Sequence, residues 1–387
     1  MSSCIVSEDG KTLVLDTNRT GPMVLHAIWL RDNSHDDSTR SPQNGQRLIS
    51  LTDLPEDICI SSASKVVGEW LEVVFKPEKL VARFRIGWLE KIFNEHQTHQ
   101  SGLIAEHIAL WGEQSELALH NPDWHDVCNS EESLRNWLLD IQQYGIGRLC
   151  NAPTESGDIL KIAALFGYVR ETNYGKWFEV RNEVKPINLA YTGMALPPHT
   201  DNPYRDPLPT MQILHCLENS ADGGESIVVD GFNAARELQQ RWPESFKLLS
   251  GFSACFEYAG ADDVHLKSTR PILELSPEGV LKAVRYNNRS ISAVVNVPAD
   301  LIPDYYEAMK RFERILYNLN NFLSFKLNPG ECFVVDNTRV LHSRTAFTGA
   351  GSRWLQGCYP DLDGMQSTLR VLNRKLGNPR SDNSKFS

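Results

Sequence analysis

The chain has 387 residues, with 39 Lys and Arg against 49 Asp and Glu and a formal net charge of −10. Its 41% hydrophobic and 23% charged residues are ordinary for a globular protein, and the length suggests two domains. The acidic balance argues against a nucleic-acid partner, no stretch approaches the roughly 20 apolar residues of a membrane span, and the N-terminus lacks the basic and apolar regions of a secretory signal, so a cytoplasmic protein is expected. Eight cysteines are scattered singly with no CxxC pair, which indicates neither a disulfide framework nor a zinc ribbon.

The first hundred residues read as short strands and turns. Thr12–Leu15, Leu48–Leu51 and Trp70–Phe75 are short apolar runs bounded by Asp, Gly or Pro, and Arg83–Ile86 follows a Lys-Pro-Glu-Lys turn as the second arm of a hairpin. Gly87–Phe93 reads as a helix, and a domain boundary is expected between residues 95 and 120. Ser130–Leu139 carries a helix-start signal with apolar residues at helical spacing. Tyr144–Leu149, Met211–Leu217, Ser226–Val229 and Cys332–Val335 read as strands; Glu155–Phe166, Phe232–Leu249 and Asp304–Phe322 read as helices. Many short strands with a few helices suggest a β-sandwich or jelly roll with helical cover.

The chemistry concentrates at His199-Thr200-Asp201 and at His342, which follows the run Asp336-Asn337-Thr338-Arg339. In an extended strand, residues i and i+2 share a face, so His199 and Asp201 can reach one cation. Two histidines and one carboxylate on one face of an octahedron is the ligand set of non-haem Fe(II) oxygenases, and it leaves three positions for a bidentate 2-oxoacid and O2. Arg353 stands eleven residues after His342. A turn through residues 348–351 would return the chain on an adjacent strand and set its guanidinium where the distal carboxylate of 2-oxoglutarate must lie. Gly223-Gly224-Glu225-Ser226 is a tight turn into a strand, and the Ser226 hydroxyl offers that carboxylate a second donor. A metal-dependent hydrolase would need a general base or second metal nearby, and no such carboxylate cluster is visible. A binding or sensor protein with a dead metal site is the non-enzymatic alternative, and the intact triad and Arg353 argue against it.

Taken together, these motifs resemble the taurine dioxygenase superfamily of Fe(II)/2-oxoglutarate oxygenases and, more narrowly, the γ-butyrobetaine hydroxylase family. Ala27–Asn33, Leu214-His215-Cys216, Val229–Asn233 and Asn328–Glu331 match as well. The resemblance implies a mainly β fold with covering helices: a double-stranded β-helix (jelly-roll) catalytic domain over 111–387 and a small β-rich N-terminal domain over 1–110. It also implies Fe(II), 2-oxoglutarate and O2 as cofactors and co-substrates, and a homodimer. Relatives carry closely spaced cysteines after Leu-Arg-Asp-Asn that bind structural zinc with a later histidine. This chain has Asn33–Thr39 there, and Lys79 in the histidine's place, so no structural zinc is expected.

In the family, aromatic rings surround a trimethylammonium group, which cannot donate a hydrogen bond and therefore pairs with ring faces. By position, Tyr174, Phe178, Tyr191 and Tyr359 match the cage, and Asn188 and Asn287 match the residues that bind the substrate carboxylate. Arg289 replaces a neutral residue of the animal enzymes, and Tyr204 and Arg205 supply further donors. The added charge suits a phosphonate head group, so the resemblance points to 2-(trimethylammonio)ethylphosphonate, hydroxylated at the carbon next to phosphorus, with γ-butyrobetaine as the alternative substrate.

Overall fold

The computed structural model describes residues 3–17, 19–66, 69–98, 102–112, 117, 119–181, 194–261, 263–318, 321–347 and 351–377. These residues fall into two compact units, one within Met1–Ser101 and the other spanning Gly102–Gly377.

In the first unit, β1 (Cys4–Val6), β2 (Thr12–Asp16) and β3 (Pro22–His26) form an antiparallel sheet that runs into α1 (Ala27–Asp32). A second sheet of β4 (Cys59–Val66), β5 (Trp70–Lys76) and β6 (Val81–Arg85) precedes α2 (Ile86–Thr98). Strand periodicity decides which side chains go inside: Leu71, Val73 and Phe75 of β5 are buried with Leu13 and Leu15 of β2. Leu48–Leu51 does not form the strand expected of it. Leu48 and Leu51 are exposed, and the chain turns there because the Asp53 carboxylate accepts the Ser50 N–H.

After α1 the loop is organised around Asp36, whose carboxylate accepts the hydroxyls of Ser34, Ser38 and Thr39 and the N–H groups of Ser38 and Thr39. Arg31 ties this cluster to the next turn, donating to Thr39 Oγ1 and, in a two-pronged contact at 2.7 and 2.9 Å, to Glu78. Asp36 thus turns inward, while His35 packs edge-on against Trp88.

The second unit opens with Leu103, Ile104, Ile108 and Leu110 packed on its largest core, and the Leu103 carbonyl accepts the Leu281 N–H at 2.8 Å. Its elements are α3 (Trp124–Asn129), α4 (Glu131–Tyr144), β7 (Ile146–Leu149), α5 (Ile159–Ala163), β8 (Phe178–Val180), β9 (Leu196–His199), β10 (Met211–Asn219), β11 (Ser226–Asp230), α6 (Gly231–Arg241), α7 (Pro243–Gly251), β12 (Ser253–Ala261), β13 (Val264–Pro271), β14 (Leu273–Leu275), β15 (Leu281–Val284), α8 (Ile302–Leu316), β16 (Phe322–Phe325), β17 (Cys332–Asp336), β18 (Val340–Arg344), β19 (Arg353–Cys358) and α9 (Leu362–Leu376). A five-stranded sheet in the order β7-β17-β10-β19-β8 faces a four-stranded sheet in the order β16-β11-β18-β9, giving the jelly roll. Val228, Phe333, Val335 and Leu355 fill the space between them. Helices α4, α5 and α9 cover the larger sheet, and α6, α7 and α8 pack in a separate core with β14 and β15.

Where helices were expected, their ends differ. Pro243 splits 232–249 into α6 and α7, since Trp242 leaves helical geometry at φ −143° and proline restricts the residue before it. Helix α8 stops at Leu316, and Phe322 enters β16 instead. Helix α5 keeps only the middle of 155–166, because the Asp158 carboxylate turns the chain by accepting the Glu155 N–H.

One buried ion pair joins distant parts of this unit. Arg339, in the turn between β17 and β18, donates to both oxygens of Asp230 at 3.1 and 2.8 Å, and both side chains are at most 1% exposed. Arg339 also donates to the carbonyls of Gln143 and Ala109, while Asp230 caps α6 and accepts the Trp111 N–H. Every charge-bearing atom is satisfied, so removing one partner leaves the other stranded. Arg339→Ala should lower unfolding free energy by about 3–5 kcal/mol, read from urea denaturation; a loss below about 1 kcal/mol would contradict this role.

Candidate active site

Strand pairing brings the two histidines together. In the antiparallel pairing of β9 with β18, His199 lies opposite His342, and the ring centroids are 4.3 Å apart. His199 Nδ1 sits 2.8 Å from the Pro197 carbonyl, and by donating its N–H to that oxygen leaves the Nε2 lone pair turned inward. Asp201 Oδ1 lies 3.4 Å from His199 Nε2 and 3.7 Å from His342 Nε2.

Asp201 does not share an extended strand with His199. Strand β9 ends at His199, and the chain bends through Asp201 to Asn202, which adopts φ +50°. Fully buried Asn337 makes this bend: its Oδ1 accepts the Asp201 N–H at 2.7 Å, and its Nδ2 donates to the carbonyls of Asp201 and Pro209. The outer carboxylate oxygen, Oδ2, accepts Gln212 Nε2 at 2.6 Å and the Tyr359 hydroxyl at 2.7 Å. Burial by itself would raise the Asp201 pKa, but the contact with His199, the nearby His342 and the Tyr359 hydroxyl hold it well below the usual carboxylate range. Burial and the neighbouring His199 push His342 down to about 3, so its ring is neutral and keeps a lone pair for a ligand bond.

These three residues line a cavity of about 390 Å³. Arg353 opens β19 on its wall, buried, with Nε and Nη1 lacking a hydrogen-bond partner among the described residues. It reaches the cavity from the five-stranded sheet, not from a strand adjacent to β18 as the spacing suggested, and residues 348–350 of the intervening turn lie outside the described residues. Gly224, at φ +72°, gives it room, since a Cβ there would lie 2.9 Å from Arg353 Nε. Ser226 starts β11, lines the same cavity and pairs in register with Arg344. The Arg353 and Arg344 guanidiniums both lie over Phe347, and burial lowers each to about 10, leaving both charged at neutral pH.

Aromatic rings form the rest of the wall. Tyr174 lies 6.2 Å from Phe178, Phe178 lies 5.1 Å from Tyr359, and Tyr204 stacks on Tyr258 at 5.2 Å. Phe178 fits because residue 357 is glycine; a Cβ there would fall 2.2 Å from the ring. The Tyr204 hydroxyl donates to Asn202 Oδ1 at 2.6 Å and stands 3.2 Å from that of Tyr174. Asn287 and Arg289 also line the cavity, and Asn287 Oδ1 accepts the Arg289 N–H. Burial depresses the Arg289 pKa, partly offset by Asp201 and Tyr204. Arg205 is engaged by Asn173 and is not among the lining residues. Asn188 and Tyr191 lie outside the described residues.

Sequence reasoning missed Gln212, Tyr258, Arg344 and the role of Asn337. Arg344 follows His342 by two positions on one strand and so was findable by the same alternation used for His199. Gln212 and Tyr258 reach the site through sheet pairing and a hairpin, which leave no local signal.

The residues fit a metal and a 2-oxoacid. His199, Asp201 and His342 present ligand atoms within 4.8 Å of one another, the only such cluster of three or more among the described residues. With no cysteine in it, the set suits an iron with open positions. The unsatisfied guanidinium atoms of Arg353 suit a carboxylate.

Comparison with known proteins agrees. Residues 106–359 match the model of the taurine catabolism dioxygenase TauD, TfdA family. The chain is similar to the human γ-butyrobetaine dioxygenase, 31% identical over 91% of this chain and 92% of that one. It is similar to the γ-butyrobetaine dioxygenase of Pseudomonas sp. (strain AK-1), 30% identical over 97% and 96%, and to the mitochondrial trimethyllysine dioxygenase of Bos taurus, 32% identical over 89% and 82%.

Replacing Arg353 by alanine should weaken 2-oxoglutarate binding about ten- to a hundredfold, the loss of a charge-assisted pair. Anaerobic titration of the Fe(II)-loaded protein measures it, and an unchanged dissociation constant would refute the assignment.

Proposed function

The chain belongs to the taurine catabolism dioxygenase TauD, TfdA family and is an Fe(II)- and 2-oxoglutarate-dependent dioxygenase, and from that premise we propose that it hydroxylates a small trimethylammonium zwitterion. The substrate proposed first is 2-(trimethylammonio)ethylphosphonate, oxidised at the carbon next to phosphorus in organophosphonate degradation. The observation that carries this choice is the charge of the cavity. Among the described lining residues, Arg289, Arg344 and Arg353 stand against Asp201 and Glu257, an excess of one positive charge. Fe(II) and the 2-oxoglutarate dianion cancel, so the excess matches a substrate of net charge −1. A trimethylammonium group with a doubly ionised phosphonate has that charge; γ-butyrobetaine has none.

Each residue then has a task. His199, Asp201 and His342 hold one face of the iron, and Arg353 with Ser226 takes the distal carboxylate of 2-oxoglutarate. Bound there, iron and 2-oxoglutarate supply the O2 activation that delivers one oxygen atom to substrate and one to succinate, with loss of CO2. Tyr174, Phe178 and Tyr359 face the ammonium, Tyr204 adds a polar edge, and Asn287 and Arg289 hold the anionic end. Held at both ends, the substrate presents one methylene to the metal, which positions the reaction without an acid–base residue. The cytoplasmic location and the homodimer belong to the same proposal and rest on the sequence.

γ-Butyrobetaine, giving L-carnitine, is the second reading, favoured by the two γ-butyrobetaine dioxygenases at 30–31% identity. Arg289→Ala separates the two. If Arg289 meets a phosphonate, the variant should lose about ten- to a hundredfold in kcat/KM for the phosphonate and much less for γ-butyrobetaine. Should the ratio of the two efficiencies stay fixed, Arg289 does not select the anion, and γ-butyrobetaine becomes the first choice.

A further inference from the structure

Tyr359 serves two parts of the cavity at once. Its ring stands 5.1 Å from Phe178 on the cavity wall, while its hydroxyl donates to Asp201 Oδ2 at 2.7 Å. Gln212 Nε2 donates to the same oxygen at 2.6 Å. Residue 359 directly follows β19, and Gln212 lies in β10, which pairs with β19, so the two donors come from neighbouring strands of the larger sheet. Both are almost wholly buried, at 4% and 1% exposure. Oδ2 is therefore occupied by protein donors, and Oδ1 alone is turned toward the two histidines.

We propose that Tyr359 and Gln212 form a clamp that keeps Asp201 a one-oxygen ligand, and that Tyr359 thereby couples the substrate cavity to the metal site. The inference rests on the reading of His199, Asp201 and His342 as iron ligands. A carboxylate free to rotate can offer both oxygens to a metal. A second oxygen would take one of the three positions that 2-oxoglutarate and O2 require. Two strong donors on Oδ2 prevent that rotation and set the direction of the Oδ1 lone pairs. Because the clamp's hydroxyl belongs to a cavity wall, a cation seated against the Tyr359 ring fixes the ring and with it the Asp201 carboxylate. Tyr359 is a positioning residue in this scheme as well as a contact for substrate, and its two roles separate by chemistry: phenylalanine keeps the ring and loses the hydroxyl.

The test uses the full chain, with Fe(II) and 2-oxoglutarate added anaerobically. Tyr359→Phe and Gln212→Met should each weaken Fe(II) binding about ten- to a hundredfold, the usual cost of losing a partner of a metal ligand. Each should also shift the visible metal-to-ligand charge-transfer band of the Fe(II)–2-oxoglutarate complex. Tyr359→Phe should leave the substrate KM within about twofold while kcat falls; Tyr359→Leu, which removes the ring too, should raise KM as well. Thermal unfolding of each variant shows that it is folded. An Fe(II) affinity and a band unchanged in both Tyr359→Phe and Gln212→Met, alongside a loss in Asp201→Ala, overturns the clamp and leaves the ligand assignment standing. Undiminished Fe(II) affinity in Asp201→Ala overturns the ligand assignment and the clamp with it.

Discussion

The geometry of the site depends on one turn, residues 336–339 between β17 and β18, and on the buried Arg339–Asp230 pair that anchors it. Two ionised groups at most 1% exposed are costly to bury, and the cost is tolerable only because carbonyls and N–H groups satisfy their remaining atoms. The pair fixes the turn against α4, α6 and the segment that opens the second unit. The same turn carries Asn337, whose amide brackets the Asp201 backbone on both its N–H and its carbonyl. The carboxylate in the triad is thus positioned by a residue more than a hundred positions away, and the two histidines by a strand register. A bend held this way needs no regular structure at Asp201 itself.

The cavity around that centre is lined by both signs of charge. Asp201 faces the histidines, and three arginines and Glu257 share the wall with tyrosines and Phe178, with Arg289 near enough to Asp201 to feel its charge. Burial lowers the Arg344 and Arg353 pKa values to about 10 without neutralising them, so this part of the wall stays cationic at neutral pH. Such a charge suits an anionic group. In the proposed function, the aromatic faces take a cation that cannot donate a hydrogen bond.

What could be read in the sequence was what chemistry itself specifies. His199, Asp201, His342 and Arg353 could be named from the sequence because few residue types suit the purpose expected of them and because their spacing is informative, and the fold brings all four to one cavity; the strand runs of β2, β5, β10, β11 and β17 were found from apolar periodicity. The route by which these residues meet was not readable. Asp201 was expected on an extended strand and sits in a bend, and Arg353 was expected beside β18 and comes from the other sheet. Both facts depend on long-range pairing that no local window contains. The split of α6 from α7 did have a local signal in Pro243, whereas the exposed turn at Leu48–Leu51 looks in sequence like any short apolar strand. The Asp36 hub of the first unit is a case between these. Its serine, threonine and aspartate residues are ordinary loop composition, and only the fold shows one carboxylate collecting three hydroxyls.

The most direct test of the whole account is product analysis under 18O2. Purified protein with Fe(II) and 2-oxoglutarate would be given 2-(trimethylammonio)ethylphosphonate and γ-butyrobetaine in separate and in competing reactions. The expected products carry one 18O in a new hydroxyl on the carbon bonded to phosphorus, with one succinate per hydroxylation and preference for the phosphonate in competition. Oxygenation of γ-butyrobetaine alone, or succinate formation with neither compound hydroxylated, would contradict it.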